Sequence, residues 1–109
     1  MILDREFPHD TRVEHEMASL KSSGHSIYLA CFTRKNLPAY DNYNSIVVYR
    51  KKINTLTYKS SVACLRFPVY FNFWTRFLFS ILKKNKFDAI HIHDLPLSHV
   101  GFRVKKKFN

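Results

Sequence analysis

Residues Ile27 to Phe32, Ile-Tyr-Leu-Ala-Cys-Phe, form an unbroken apolar run. A strand with one wet face alternates apolar and polar residues. A run without alternation predicts a strand covered on both faces, as in a parallel sheet flanked by helices. Ile46 to Tyr49 and Ala89 to His93 read as further strands, and Met1 to Asp4 as the end of a short first one. Helical segments separate them. Thr11 opens the first, with Glu14 three residues later at capping-box spacing. Val13, Met17 and Leu20 then share one apolar face. Gly24 closes the helix where a left-handed residue is usual. Pro68 predicts the start of a second helix reaching Lys84, with Asn72, Arg76 and Ser80 as its polar stripe. Leu97 to Phe108 predicts a third helix with a basic tail. Asn36 to Asn44 carries Pro38, Asp41 and several asparagines and reads as a loop. Arg50 to Phe67 reads either as a basic loop or as holding another short strand.

The order β-α-β-β-α-β-α implies an α/β fold, a doubly wound parallel sheet with right-handed crossovers. The usual doubly wound order sets the strand ending at Asp4 beside the strand ending at His93. The loops Asp4 to Asp10 and Asp94 to Ser98 then flank the switch point where open α/β sheets bind ligands. Phe87 to Ser98 is accordingly expected to be a buried parallel strand running into a polar, ligand-facing turn.

Composition removes several functions. Gly24 and Gly101 are the only glycines. The dinucleotide fingerprint and the P-loop both need glycine clusters, so neither is present and no cofactor is expected. Lysine and arginine number 18 against 8 acids, a net charge of +10. That balance favours anionic partners such as nucleic acid, acidic headgroups or phosphorylated substrates, with a solubilising surface as the plain alternative. Cys31 and Cys64 form no C-x-x-C pair and suggest no disulfide framework. MILDREF lacks the pattern of a signal peptide. No run of 18 apolar residues exists to cross a bilayer. The 109 residues suit one small domain or part of a larger one, with no repeat and no linker signal.

Few residues are candidates for chemistry. On a strand, His91 and His93 would point to one face and Ile90 and Ile92 to the other. With Asp94, and with His99 as a possible fourth ligand, they admit a metal reading. No further cysteine, histidine or glutamate is placed to close the shell, so no metal is expected. For His93 and Asp94 ligand contact and loop capping stay open as alternatives. Asp4, Arg5 and Arg12 surround the first βα loop, where an arginine grips a phosphate or sugar hydroxyl, or pairs with Asp4 to shape the loop. No serine or cysteine nucleophile stands beside a base. The helix after Pro68 reads as a core helix, as an interfacial helix placing Trp74 and Phe77 in a membrane surface with Lys83 and Lys84 at headgroups, or as a partner interface. Lys105 to Lys107 read as a solvated helix end.

The segment MILDREFPHDTRVEHEMASLKSSGHSIYLACF resembles the opening of N-terminal domains in family-four, GT-B-type glycosyltransferases. Their first strand ends in a similar D-R-x-F-P-x-D-x-R-V-x-x-E run, followed by a helix and G-H-x-V. FDAIHIHDLPLSHVGFRVKKKF resembles the later D-x-I-H-x-H-D-x-P segment of the same domains. Together the two segments cover about half the chain, in the right order.

The resemblance implies a Rossmann-like domain of a GT-B-type architecture, from a retaining enzyme that moves a sugar from a nucleotide-activated donor to a cell-surface polysaccharide or glycolipid. The N-terminal domain would hold the glycan or lipid-linked acceptor, and Asp4, Arg5, Arg12, His93, Asp94 and Ser98 are the acceptor-cleft candidates. The nucleotide-sugar donor would be held by a C-terminal domain that this sequence does not contain. The histidine often implicated in such enzymes falls beyond Asn109. No catalytic residue is therefore expected in residues 1–109. The chain is expected to be an incomplete N-terminal domain, inactive alone, and cytoplasmic, extending to peripheral association at the inner membrane face. The alternative is a non-catalytic basic α/β module binding nucleic acid or an anionic membrane. Nucleic acid is less expected, because no recognised motif for it is present.

Overall fold

The computed structural model describes residues 1–63 and 68–108. They form two compact units, Met1–Lys52 and Ile53–Asn109.

The first unit is a mixed α/β layer. Its strands are β1 (Ile2–Leu3), β2 (Tyr28–Thr33), β3 (Tyr40–Tyr43) and β4 (Ile46–Lys52), with helix α1 (Thr11–Ser22) after β1. The sheet order is β1-β2-β4-β3. β1, β2 and β4 run parallel, with Leu3 opposite Cys31 and Cys31 opposite Arg50. β3 is antiparallel to β4. Leu29 and Cys31 of β2 and Ile46 and Val48 of β4 form one core with Leu3, Phe7 and the α1 residues Val13 and Met17. Burying each large apolar side chain contributes about 1.5–3 kcal/mol. The apolar stripe of α1 is therefore what seats the helix. Leu20, on the same stripe, is only partly buried.

Three expectations change here. Asp10, not Thr11, caps α1, and its carboxylate accepts from the Val13 N–H at 3.3 Å. Glu14 instead accepts the Tyr43 hydroxyl. The stretch expected to be a loop contains β3. Tyr43 pairs with Ile46, leaving a two-residue turn in which Asn44 and Ser45 have φ of 50° and 64°. Two successive positive φ values are the signature of a hairpin turn whose twist matches the sheet. Pairing with β4 thus outweighs the polar composition. Third, β4 continues through Lys52, beyond the expected Tyr49.

The second unit is helical. It holds α2 (Thr55–Lys59), a 3₁₀ turn (Ser60–Ala63), α3 (Val69–Leu82), a second 3₁₀ turn (Leu95–Leu97) and α4 (Ser98–Phe108). Asn54 caps α2 by accepting from the Thr57 N–H at 2.7 Å. The unassigned stretch Arg50 to Phe67 is thus the end of β4 and a short capped helix, with residues 64–67 outside the described ones. α3 buries Tyr70, Phe71, Trp74, Phe77, Leu78 and Ile81, and leaves Asn72, Arg76 and Ser80 exposed, as its polar stripe predicted. α4 buries Val100 and Val104, one turn apart. Ring contacts join the two helices, Phe71 to His99 at 5.2 Å and Phe79 to Phe108 at 5.3 Å.

The expected strand Ala89 to His93 is absent. Residues 89–91 have no regular structure and are exposed, and Ile92 makes only an isolated bridge. The sheet order β1-β2-β4-β3 includes no strand from residues 89–93. A strand exists only where a neighbour supplies a ladder. Ile92 is instead packed on Gly101 of α4, where an added Cβ would come within 2.2 Å of its Cδ1.

Candidate functional site

The carboxyl ends of the parallel strands in the first unit carry a polar cluster. It grows from the loop Asp4 to Asp10. Phe7 is fully buried in this loop and meets the Tyr43 ring edge-on at 5.0 Å. The Phe7–Pro8 peptide is cis, and His9 has φ of 114°. That left-handed region costs a non-glycine residue about 1–3 kcal/mol, so the flanking contacts must hold it. They are the Phe7 anchor on one side and the Asp10 cap on the other.

Arg50 lies beneath this loop. It follows Ile46 and Val48 at strand spacing, so its side chain enters the core face and is only 1% exposed. The guanidinium donates from Nε to the Phe7 carbonyl at 3.1 Å. From Nη1 it donates to the Pro38 carbonyl at 3.2 Å and to the Asp41 carboxylate at 2.9 Å. The hydrogen bond from Arg50 holds the Asp41 carboxyl below the usual carboxylate range. Beside it, burial pushes the Cys31 thiol up to about 12, and the Arg50 charge offsets this only in part. At neutral pH Cys31 is a protonated thiol, not a nucleophile. Glu6 reaches the end of β2, where it accepts from the Arg34 N–H and, at 3.5 Å, from the Thr33 hydroxyl.

The expected site residues fall in two places. Asp4 is half-buried and Arg5 exposed in the first loop. Arg12 is exposed and pairs with Asp10 at 3.6 Å. His93, Asp94 and Ser98 belong to the second unit, the first two just before the 3₁₀ turn Leu95–Leu97 and the third at the start of α4. The Asp94 carbonyl accepts from the Leu97 N–H at 3.0 Å, and Ser98 begins α4. Trp74 and Phe77 cannot enter a membrane surface, because they are 0% and 5% exposed in the core of the second unit. Lys83 and Lys84 are exposed just past α3.

No family model, no curated protein and no solved structure matches this chain. The site is therefore read from its geometry. Glu6, Cys31, Asp41 and Arg50 escaped sequence reasoning, although period two from Ile46 marks Arg50 as an inward-facing cation. The second unit also carries an open groove of about 410 Å³, lined by Phe87, Ile90, Ile92, Phe102 and Phe108 among others. Charge is unevenly divided. The second unit holds ten lysines and arginines against two acids, and the first holds eight against six. Among the described residues no helix is long and apolar enough to cross a membrane.

Proposed function

We propose that this chain is the acceptor-side part of a GT-B-type sugar transferase, a Rossmann-like domain whose first βα loop contacts a glycan. The observation that carries the reading is the loop Asp4 to Asp10. It is the segment in which the resemblance is densest, and it folds at the carboxyl end of a parallel strand. Open α/β sheets bind ligands at that end. Phe7 and Arg50 anchor the loop from below, while Arg5 and Arg12 remain exposed above it. Exposed arginines on an anchored loop and on the first turn of the helix after it suit the hydroxyl and phosphate groups of a glycosyl phosphate acceptor. On this reading residues 1–109 bind sugar and transfer none.

Titration of the isotope-labelled chain with oligosaccharides and glycosyl phosphates tests this. Amide shifts should concentrate at residues 4–12, and no nucleotide sugar should be turned over. Binding confined to other residues, or turnover of a nucleotide sugar, defeats the reading.

The uneven charge favours a second reading, a basic module at an anionic surface. Lys83, Lys84, Lys86 and Lys105 to Lys107 are all exposed. Sedimentation with anionic vesicles should then weaken steeply with salt, as screened surface charge does. Equal sedimentation at high salt removes it.

A further inference from the structure

We propose that His91 and His93 form a two-imidazole chelate for a borderline divalent transition-metal ion of the Zn(II), Ni(II) or Cu(II) class. The inference is independent of the sugar-transfer reading and concerns the second unit alone.

The two rings already face each other. Their centroids are 4.6 Å apart and their planes differ by 19°. The ligand nitrogens of the two rings lie within 4.8 Å of one another. Two imidazole nitrogens bound to one tetrahedral zinc at about 2.0–2.1 Å stand about 3.3 Å apart. The difference is within reach of a ring rotation. His91 is exposed and His93 is half-buried.

The intervening residue fixes this geometry. Ile92 fits against Gly101 of α4, at a spot where a Cβ would come within 2.2 Å of its Cδ1. With Ile92 turned to the helix, its two neighbours are directed away from it together. A glycine inside a helix costs roughly 0.5–1 kcal/mol relative to alanine. Gly101 therefore serves the close approach that holds Ile92, and so presets the histidine pair. Asp94 and the 3₁₀ turn Leu95–Leu97 pin the segment on its far side through the Leu97 N–H to Asp94 carbonyl bond. A chelate whose ligands are already gathered loses less entropy on binding than one assembled from a mobile loop.

The ion class follows from ligand type and from charge. Neutral imidazole suits zinc, copper and nickel, whereas magnesium and calcium take oxygen ligands. The second unit is strongly basic, with ten lysines and arginines against two acids. A cation drawn by charge alone would be repelled there. Binding has to come from short nitrogen–metal bonds, which the basic field opposes only weakly across a screening length of about 8 Å.

Calorimetric titration of the full chain with ZnCl2 and with NiCl2 tests the site, with MgCl2 as comparison. One saturable equivalent of Zn(II) and of Ni(II) is expected, with none for Mg(II). His91→Ala and His93→Ala should each weaken Zn(II) binding at least tenfold, while His25→Ala and His99→Ala leave it unchanged. Circular dichroism checks that each variant is folded. Should His93→Ala fail to fold, the exposed His91→Ala decides the matter alone. The proposal is overturned by absence of saturable binding below millimolar metal, by an unchanged affinity in His91→Ala, or by Mg(II) binding as well as Zn(II).

Discussion

Replacing Arg50 by methionine removes a buried cation that ties three segments of the first unit together. The wild-type guanidinium donates to the Phe7 carbonyl in the β1–α1 loop and to the Pro38 carbonyl before β3. Hydrogen bonds from a charged donor contribute about 1.5–3 kcal/mol each. Two are lost, and methionine keeps most of the apolar stem. The expected destabilisation is therefore at least about 3 kcal/mol. The ion pair to Asp41 is left out of this figure, because that carboxylate is open to water and rehydrates. Urea unfolding followed by circular dichroism measures the effect. With a slope of about 1–3 kcal/mol per molar urea, the midpoint should fall by about 1–3 M. Arg50→Lys should recover only part of the loss, since one ammonium cannot reproduce the planar fork. A loss below about 1 kcal/mol for Arg50→Met would refute the view of Arg50 as the anchor of the loop.

Asp41 provides a pH test. Its folded carboxyl titrates below the ordinary value of 3.8, so its contribution is present above that value and is lost as pH falls through the folded one. Wild type and Asp41→Asn should differ in urea midpoint at pH 7 and converge in strong acid; a constant difference would contradict the pairing. Cys31 should resist iodoacetamide at pH 8 in the folded protein and react once unfolded, as followed by peptide mass spectrometry, because burial keeps its thiol protonated up to about 12. Gly24 has φ of 90° with open space where a Cβ would stand. Gly24→Ala should therefore cost about 1–2 kcal/mol through backbone strain alone, visible as a lowered melting temperature with no change in spectrum.

Local signals were legible where one short-range effect decides the outcome. The unbroken run around Leu29 to Phe32 became a buried parallel strand. The spacing of Val13 and Met17 placed α1 on the sheet, and the polar stripe Asn72, Arg76 and Ser80 faces out. Gly24 sits at the helix end with a positive φ. Each outcome depends on periodicity or on a missing Cβ, both written in the chain.

Tertiary structure decided the rest. Ala89 to His93 has the composition of a strand, yet pairing stops at a single bridge at Ile92, whose side chain packs on Gly101. Tyr40 to Tyr43 has the composition of a loop, yet β4 supplied the ladder that made it a strand. Trp74 and Phe77 suit a membrane surface by type, and burial in the second unit made them core. Arg50 shows the division most clearly. Period two from Ile46 points it inward, but only because β4 runs on to Lys52, past the expected end at Tyr49. Only the approach of the Phe7 and Pro38 carbonyls, 43 and 12 residues away, turned a buried charge into an anchor. Periodicity is a property of neighbours along the chain, whereas a hydrogen-bond partner for a buried charge exists only after distant segments meet.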